Sequence, residues 1–245
     1  LLSGGAAAGS AAGLVVLWVL LGLGSSLVLT PSGQVLRAQA EGRTLSVLFA
    51  GHFAWSHACY LLTYPLAGLV GLYDVVAKES AVGPLVMAGT RGLDVLLGAS
   101  AGDDVAAAWA PAAAGTAHTV ALTTLSRGEV HGSTALTARL AALTTGAVAA
   151  FGAVGALRDT AASRRHRADG ALLSIAYAAV VGRAQLAAAS SPDAATVRRA
   201  TGAGIAGFPL LQSSWLARRG RWGAVVAVLA ARPALRVASR RVSTT

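Results

Sequence analysis

Long apolar runs alternate with short polar stretches along the chain. A helix needs about 20 apolar residues to cross the hydrocarbon core of a bilayer. Runs of that order occupy residues 11–29, 45–72, 82–101, 105–125, 136–157 and 171–189. Two shorter runs, 201–216 and 222–235, fit tilted spans or interfacial helices, and Pro209 predicts a kink in the first of them. The connections are polar and mostly short: 30–44, 73–81, 102–104, 126–134, 158–170 and 190–200. No linker or shift in composition divides the chain. The pattern therefore predicts an all-α, integral membrane, multi-helix bundle, a single domain over 1–245.

Composition strengthens this expectation. The chain is 55% hydrophobic and only 12% charged, against about 25% charged in ordinary soluble domains. Its 29 glycines and abundant alanines suit close helix packing in lipid, where no hydrophobic force draws helices together. The single cysteine, Cys59, excludes an intrachain disulfide framework and a cysteine-built zinc site, and reads as a small buried hydrophobe.

The net charge of +10 raises the question of nucleic acid. The arginines, however, sit in pairs near the ends of apolar runs: Arg164-Arg165, Arg198-Arg199, Arg218-Arg219 and Arg240-Arg241. No basic stripe interleaved with aromatics appears. These clusters read as anchors at lipid headgroups, so the expected partner is the bilayer and not nucleic acid. Lys78 is the only lysine, and the excess of Arg, Ala and Gly points to a GC-rich bacterial genome. A multi-pass protein of the bacterial cytoplasmic membrane is expected. No charged segment precedes the first apolar run, so its start does not read as a signal peptide.

Alternation of spans puts residues 1–10, 73–81, 126–134 and 190–200 on one face. Lys78, Arg127, Arg198 and Arg199 lie there; Arg37, Arg43, Arg158, Arg164, Arg165 and Arg167 lie on the other. Charge counting leaves the direction of insertion open.

Charged groups within or beside spans are the candidates for chemistry. Arg91 and Asp94 are three apart on one helix face; they fit a cavity site or a structural ion pair. The stretch Tyr73-Asp74-Val75-Val76-Ala77-Lys78 sets a phenol, a carboxylate and the lysine at a membrane face. It fits a phosphate contact or an aromatic belt with a snorkelling lysine. The stretch Ser126-Arg127-Gly128-Glu129-Val130-His131-Gly132 holds a cation, a carboxylate and an imidazole between glycines. Glu129 and His131 could ligate a metal, or the stretch could be a polar turn. His52, His57 and His118 fall within spans and read as hydrogen-bonded structure, and Asp103-Asp104 as an N-terminal helix cap. Serine-nucleophile, Walker and Rossmann signatures are absent.

Four stretches carry a family likeness: YDVVAK at 73–78, RGLDVLLGAS at 91–100, LSRGEVHG at 125–132 and RRATGAGIAGFPLL at 198–211. In this order they resemble the UbiA superfamily of membrane prenyltransferases, most closely its actinobacterial and EboC-like branch. The resemblance implies a bundle of about nine helices around a cavity open to the membrane, of which seven or eight would be present here. It implies Mg²⁺-dependent transfer of a prenyl group from an isoprenoid diphosphate to a small, possibly aromatic acceptor.

By the same resemblance Lys78 contacts diphosphate, Arg127 assists, and Tyr73 orients the diphosphate or steadies the cation. Arg91 and Asp94 line the cavity, Asp74, His131 and Arg198 contribute to substrate binding, and Glu129 carries a metal. Most members have two or more aspartates where this chain has Glu129 and His131. The family's first aspartate-rich motif should precede the first run, yet Leu1–Gly5 leads directly into it. An N-terminally truncated member, lacking two helices and that motif, is the expectation. The alternative is a non-catalytic transporter, lipid carrier or scaffold with a degenerate site.

Overall fold

The computed structural model describes residues 61–100 and 105–231. The predicted run 11–29, most of run 45–72, His52, His57, Cys59 and Asp103-Asp104 lie outside the described residues, as does the question of what precedes Leu1.

Seven α-helices and no strand occur among the described residues. Helix α1 (Leu61–Ala77) ends in a widened turn over Tyr73–Ala77, where the Lys78 amide donates to the Tyr73 carbonyl at 2.9 Å. Helix α2 (Gly83–Ala99) opens with Pro84, whose missing N–H costs nothing in a first turn. A short 3₁₀ turn (Ala106–Ala108) leads into α3 (Trp109–Ser126). Helices α4 (Ala135–Arg158), α5 (Arg164–Ser190) and α6 (Ala194–Arg218) follow, then α7 (Trp222–Ala231).

Side-chain caps set three of these starts. Thr134 accepts from the Thr137 amide at 3.0 Å, Ser163 from His166 at 3.2 Å, and Asp193 from Ala195 and Thr196, both at 3.0 Å. The last two caps explain why α5 and α6 start earlier than the apolar runs 171–189 and 201–216. The arginine-bearing turns after Ser163 and Asp193 are helical although polar. Helix α6 continues through Pro209.

Helix α5 packs along both α4 and α6, while α3 touches α2, α4 and α6. The interior is built of small residues: Ala138, Ala141, Ala188 and Ala200 meet in one cluster around Leu125 and Val197. Gly207 allows α6 to approach α5, since a Cβ there would run into Val181 Cγ2. Some polar side chains inside bond their own helix: Thr119 to the Gly115 carbonyl at 2.8 Å and Ser174 to that of Gly170 at 3.0 Å. Large apolar side chains point outward instead, among them Leu136, Leu143, Phe151, Leu172 and Ile175. Among the described residues two helices, α4 and α5, are long and apolar enough to cross a membrane. At 24 and 27 residues they extend about 36 and 40 Å, against about 30 Å of hydrocarbon.

Candidate functional site

Three turns meet at one end of the bundle: α1–α2, α3–α4 and α5–α6. Arg127, just past α3, reaches across the first, its Nη2 donating to the carbonyls of Ser80 and, at 3.4 Å, Lys78. Gly83 keeps that corner open, because a Cβ there would stand 2.9 Å from the same nitrogen. Arg198, in the first turns of α6, donates from Nη1 to the Glu129 carbonyl at 2.6 Å. The Ser133 amide donates to the Pro192 carbonyl at 2.9 Å. Gly132 adopts φ +86°, a conformation other L-residues rarely take, where it passes Pro192.

The sequence-predicted residues divide accordingly. Tyr73, Asp74, Lys78, Arg127, Glu129, His131 and Arg198 all belong to this end. Arg127 and Arg198 brace the turns, one terminal nitrogen of each holding main-chain carbonyls. Lys78 is exposed, with no ion pair among the described residues. Asp193, which sequence reasoning passed over, caps α6 here; hydrogen bonds from the Thr196 hydroxyl and amide hold its carboxyl down at about 2. It accepts from Thr196 Oγ1 at 2.7 Å, so its charge is already bound up.

Arg91 and Asp94 lie deeper, on α2. Their side chains pair at 2.9 Å, both about half exposed. The Arg91 guanidinium also sits 5.3 Å from the centre of the Phe208 ring. Phe208 stacks on His118 at 5.2 Å, and His118 Nδ1 is 2.7 Å from the Tyr177 hydroxyl. This seats His118 as buried, hydrogen-bonded structure joining α3 to α5. Tyr177 carries no sequence signal of its own.

Beyond Phe208 opens an apolar cavity of about 370 Å³, walled by Val95, Pro111, Gly115, Phe208, Trp215 and Leu216, among others. It runs toward the end of the bundle away from Lys78. That volume lies within the ordinary range of small-ligand pockets, about 300–1,000 Å³.

Among the described residues no three His, Cys, Asp or Glu side chains come together as a metal-binding group. Glu129 belongs to no such group, so the described residues do not fit a built Mg²⁺ site. Within those residues the arrangement offers an exposed lysine at one end, a paired arginine beside Phe208 in mid-bundle, and an apolar cavity on the far side of that ring. No family model, no curated protein and no solved structure matches the chain.

Proposed function

We propose that this chain is a multi-pass membrane protein of the prenyltransferase class, binding an isoprenoid diphosphate with its head at Lys78 and its tail toward the apolar cavity. The observation that carries the reading is this polarity: braced polar turns at one end, a hydrocarbon-lined chamber behind them, and Arg91 between. The membrane setting draws support from the inverted distribution of side chains, small and hydroxylated within, leucine outside. A water-soluble protein of this size would have to cover such leucine-rich faces.

In this reading Lys78 neutralises part of the diphosphate charge as the allylic C–O bond breaks and the electron pair stays with the leaving group. The acceptor supplies the pair for the new carbon bond and loses a proton. Arg127 and Arg198 hold the two turns at a fixed spacing, and thus act as positioning residues. The apolar walls limit access of water to the carbocation. Divalent-cation dependence is proposed from the charge of the diphosphate, with Glu129 as the carboxylate that the resemblance assigns to the metal.

The test is purified full-length protein in detergent, given labelled geranylgeranyl diphosphate, Mg²⁺ and a bacterial lipid extract. A prenylated product, lost in Lys78→Ala, is expected. A folded protein that yields no product with any isoprenoid donor contradicts the reading and favours a carrier or scaffold.

A further inference from the structure

The opposite end of the bundle holds a second, polar pocket of about 680 Å³, between the α4–α5 turn and the C-terminus of α6. Gly155, Arg158, Asp159, His166, Arg218 and Arg219 are among its walls. Asp159 is the one carboxylate in that lining, and it is already taken. Arg218 Nε donates to its Oδ2 at 2.8 Å and the Ala161 amide to its Oδ1 at 3.2 Å.

Arg218 is fixed from two sides. Asp159 holds Nε, and the Trp215 ring lies 5.1 Å beneath the guanidinium carbon. Its side chain is only 17% exposed. Its two terminal nitrogens have no hydrogen-bond partner among the described residues. A guanidinium held in place with its fork unfilled is a preorganised phosphate ligand. Arg158 and Arg219 flank it, both exposed and without ion pairs among the described residues.

Arg219 also borders the apolar cavity, beside Trp215 and Leu216. The basic pocket and the hydrocarbon chamber thus share a wall. A phosphate head matches the basic lining, and the exposed Val154, Leu157, Leu172 and Ile175 on α4 and α5 beside it match hydrocarbon tails. The pocket lies where α4 ends and α5 begins, the two membrane-length helices, and so at the level of a headgroup layer.

We propose that this pocket binds the phosphate of an anionic membrane lipid, with Arg158, Arg218 and Arg219 as its ligands. The assignment rests on the membrane reading above and is independent of prenyl transfer.

The experiment is retention of dioleoylphosphatidylglycerol by the full chain in neutral detergent, with dioleoylphosphatidylcholine and inorganic phosphate as separate arms. Wild type should bind phosphatidylglycerol saturably, and Arg158→Gln/Arg219→Gln should bind it about tenfold more weakly or worse, as expected for losing charge-assisted contacts. A charge-matched control at the other end, Arg139→Gln/Arg199→Gln, should bind as wild type does. Equal losses in both double variants mean diffuse charge attraction and overturn the site. Inorganic phosphate that competes at millimolar concentration, with no preference for the lipid, overturns the lipid assignment. Arg158→Lys/Arg219→Lys should restore most binding; failure to do so while the protein stays folded also counts against the proposal. A chain that enters the detergent phase yet retains no phosphatidylglycerol sinks this proposal alone, whereas one that remains dissolved without detergent sinks the membrane reading too.

Discussion

Replacing Gly207 by alanine puts a methyl group where Val181 Cγ2 already sits. Val181 is fully buried between α5 and α6, and Tyr177 Cδ2 lies 3.7 Å from the same point. Neither neighbour has open space to move into, so the helices must separate or a side chain must leave its rotamer. Overpacking of this kind costs about 1–3 kcal/mol. Alanine also gains up to about 1 kcal/mol over glycine in a helix interior, which masks part of that cost. Gly202 supplies the control, being on the same helix with nothing within 4 Å of its would-be Cβ. Gly202→Ala should be neutral or slightly stabilising. The difference between the two alanine variants then isolates the steric cost, about 1–3 kcal/mol. Denaturant unfolding in mixed micelles, followed by tryptophan fluorescence, measures it. Val181→Ala placed in the Gly207→Ala background should recover part of the loss, a non-additivity expected of residues in contact. Equal stability of the two glycine variants, or strict additivity with Val181→Ala, would refute the α5–α6 packing described above.

Further outcomes follow from the two ends of the bundle. Arg127→Gln should free the α1–α2 turn, seen as faster amide hydrogen exchange over residues 78–83 with exchange in α5 unchanged. Asp159→Asn should cost about 1–3 kcal/mol, the usual range for losing a hydrogen-bonded charge partner. Partial desolvation pushes the Asp159 carboxyl upward, but Arg218 and the Ala161 and Ala162 amides outweigh it and hold the group below its ordinary 3.8. Its stabilising effect is therefore present above the unfolded value and lost as pH falls through the folded one, so the variant should show a shallower acid loss of stability below about pH 4. Asp193 has the same sign over a wider window, between 3.8 and about 2. Asp193→Ala should lower thermal stability at neutral pH, and Asp193→Asn should retain most of the cap.

The lengths of the apolar runs made α2, α3 and α4 legible to within a residue or two at most ends, because their boundaries coincide with changes of polarity. It misjudged the starts of α5 and α6, where Ser163 and Asp193 cap turns rich in arginine and the polar stretch is helical. The gathering of Lys78, Arg127, Glu129 and Arg198 at one end follows from counting spans, and was readable. What the arginines do was not. The resemblance places Arg127 and Arg198 at the substrate, and packing adds a bond from one terminal nitrogen of each to a main-chain carbonyl. The pairs Arg218–Asp159 and His118–Tyr177 each join residues 59 apart. Only packing brings them together, and neither has a local signal.

Isoprenoid diphosphate recognition is decided by equilibrium binding of a labelled, non-hydrolysable analogue to the full chain in nanodiscs, with and without Mg²⁺. Saturable binding is expected, strengthened by Mg²⁺ and weakened about tenfold or more by Lys78→Ala, as for loss of a charged phosphate contact, with Arg158→Gln/Arg219→Gln close to wild type. Absence of saturable binding, or binding that survives Lys78→Ala and is lost in Arg158→Gln/Arg219→Gln, would contradict such recognition.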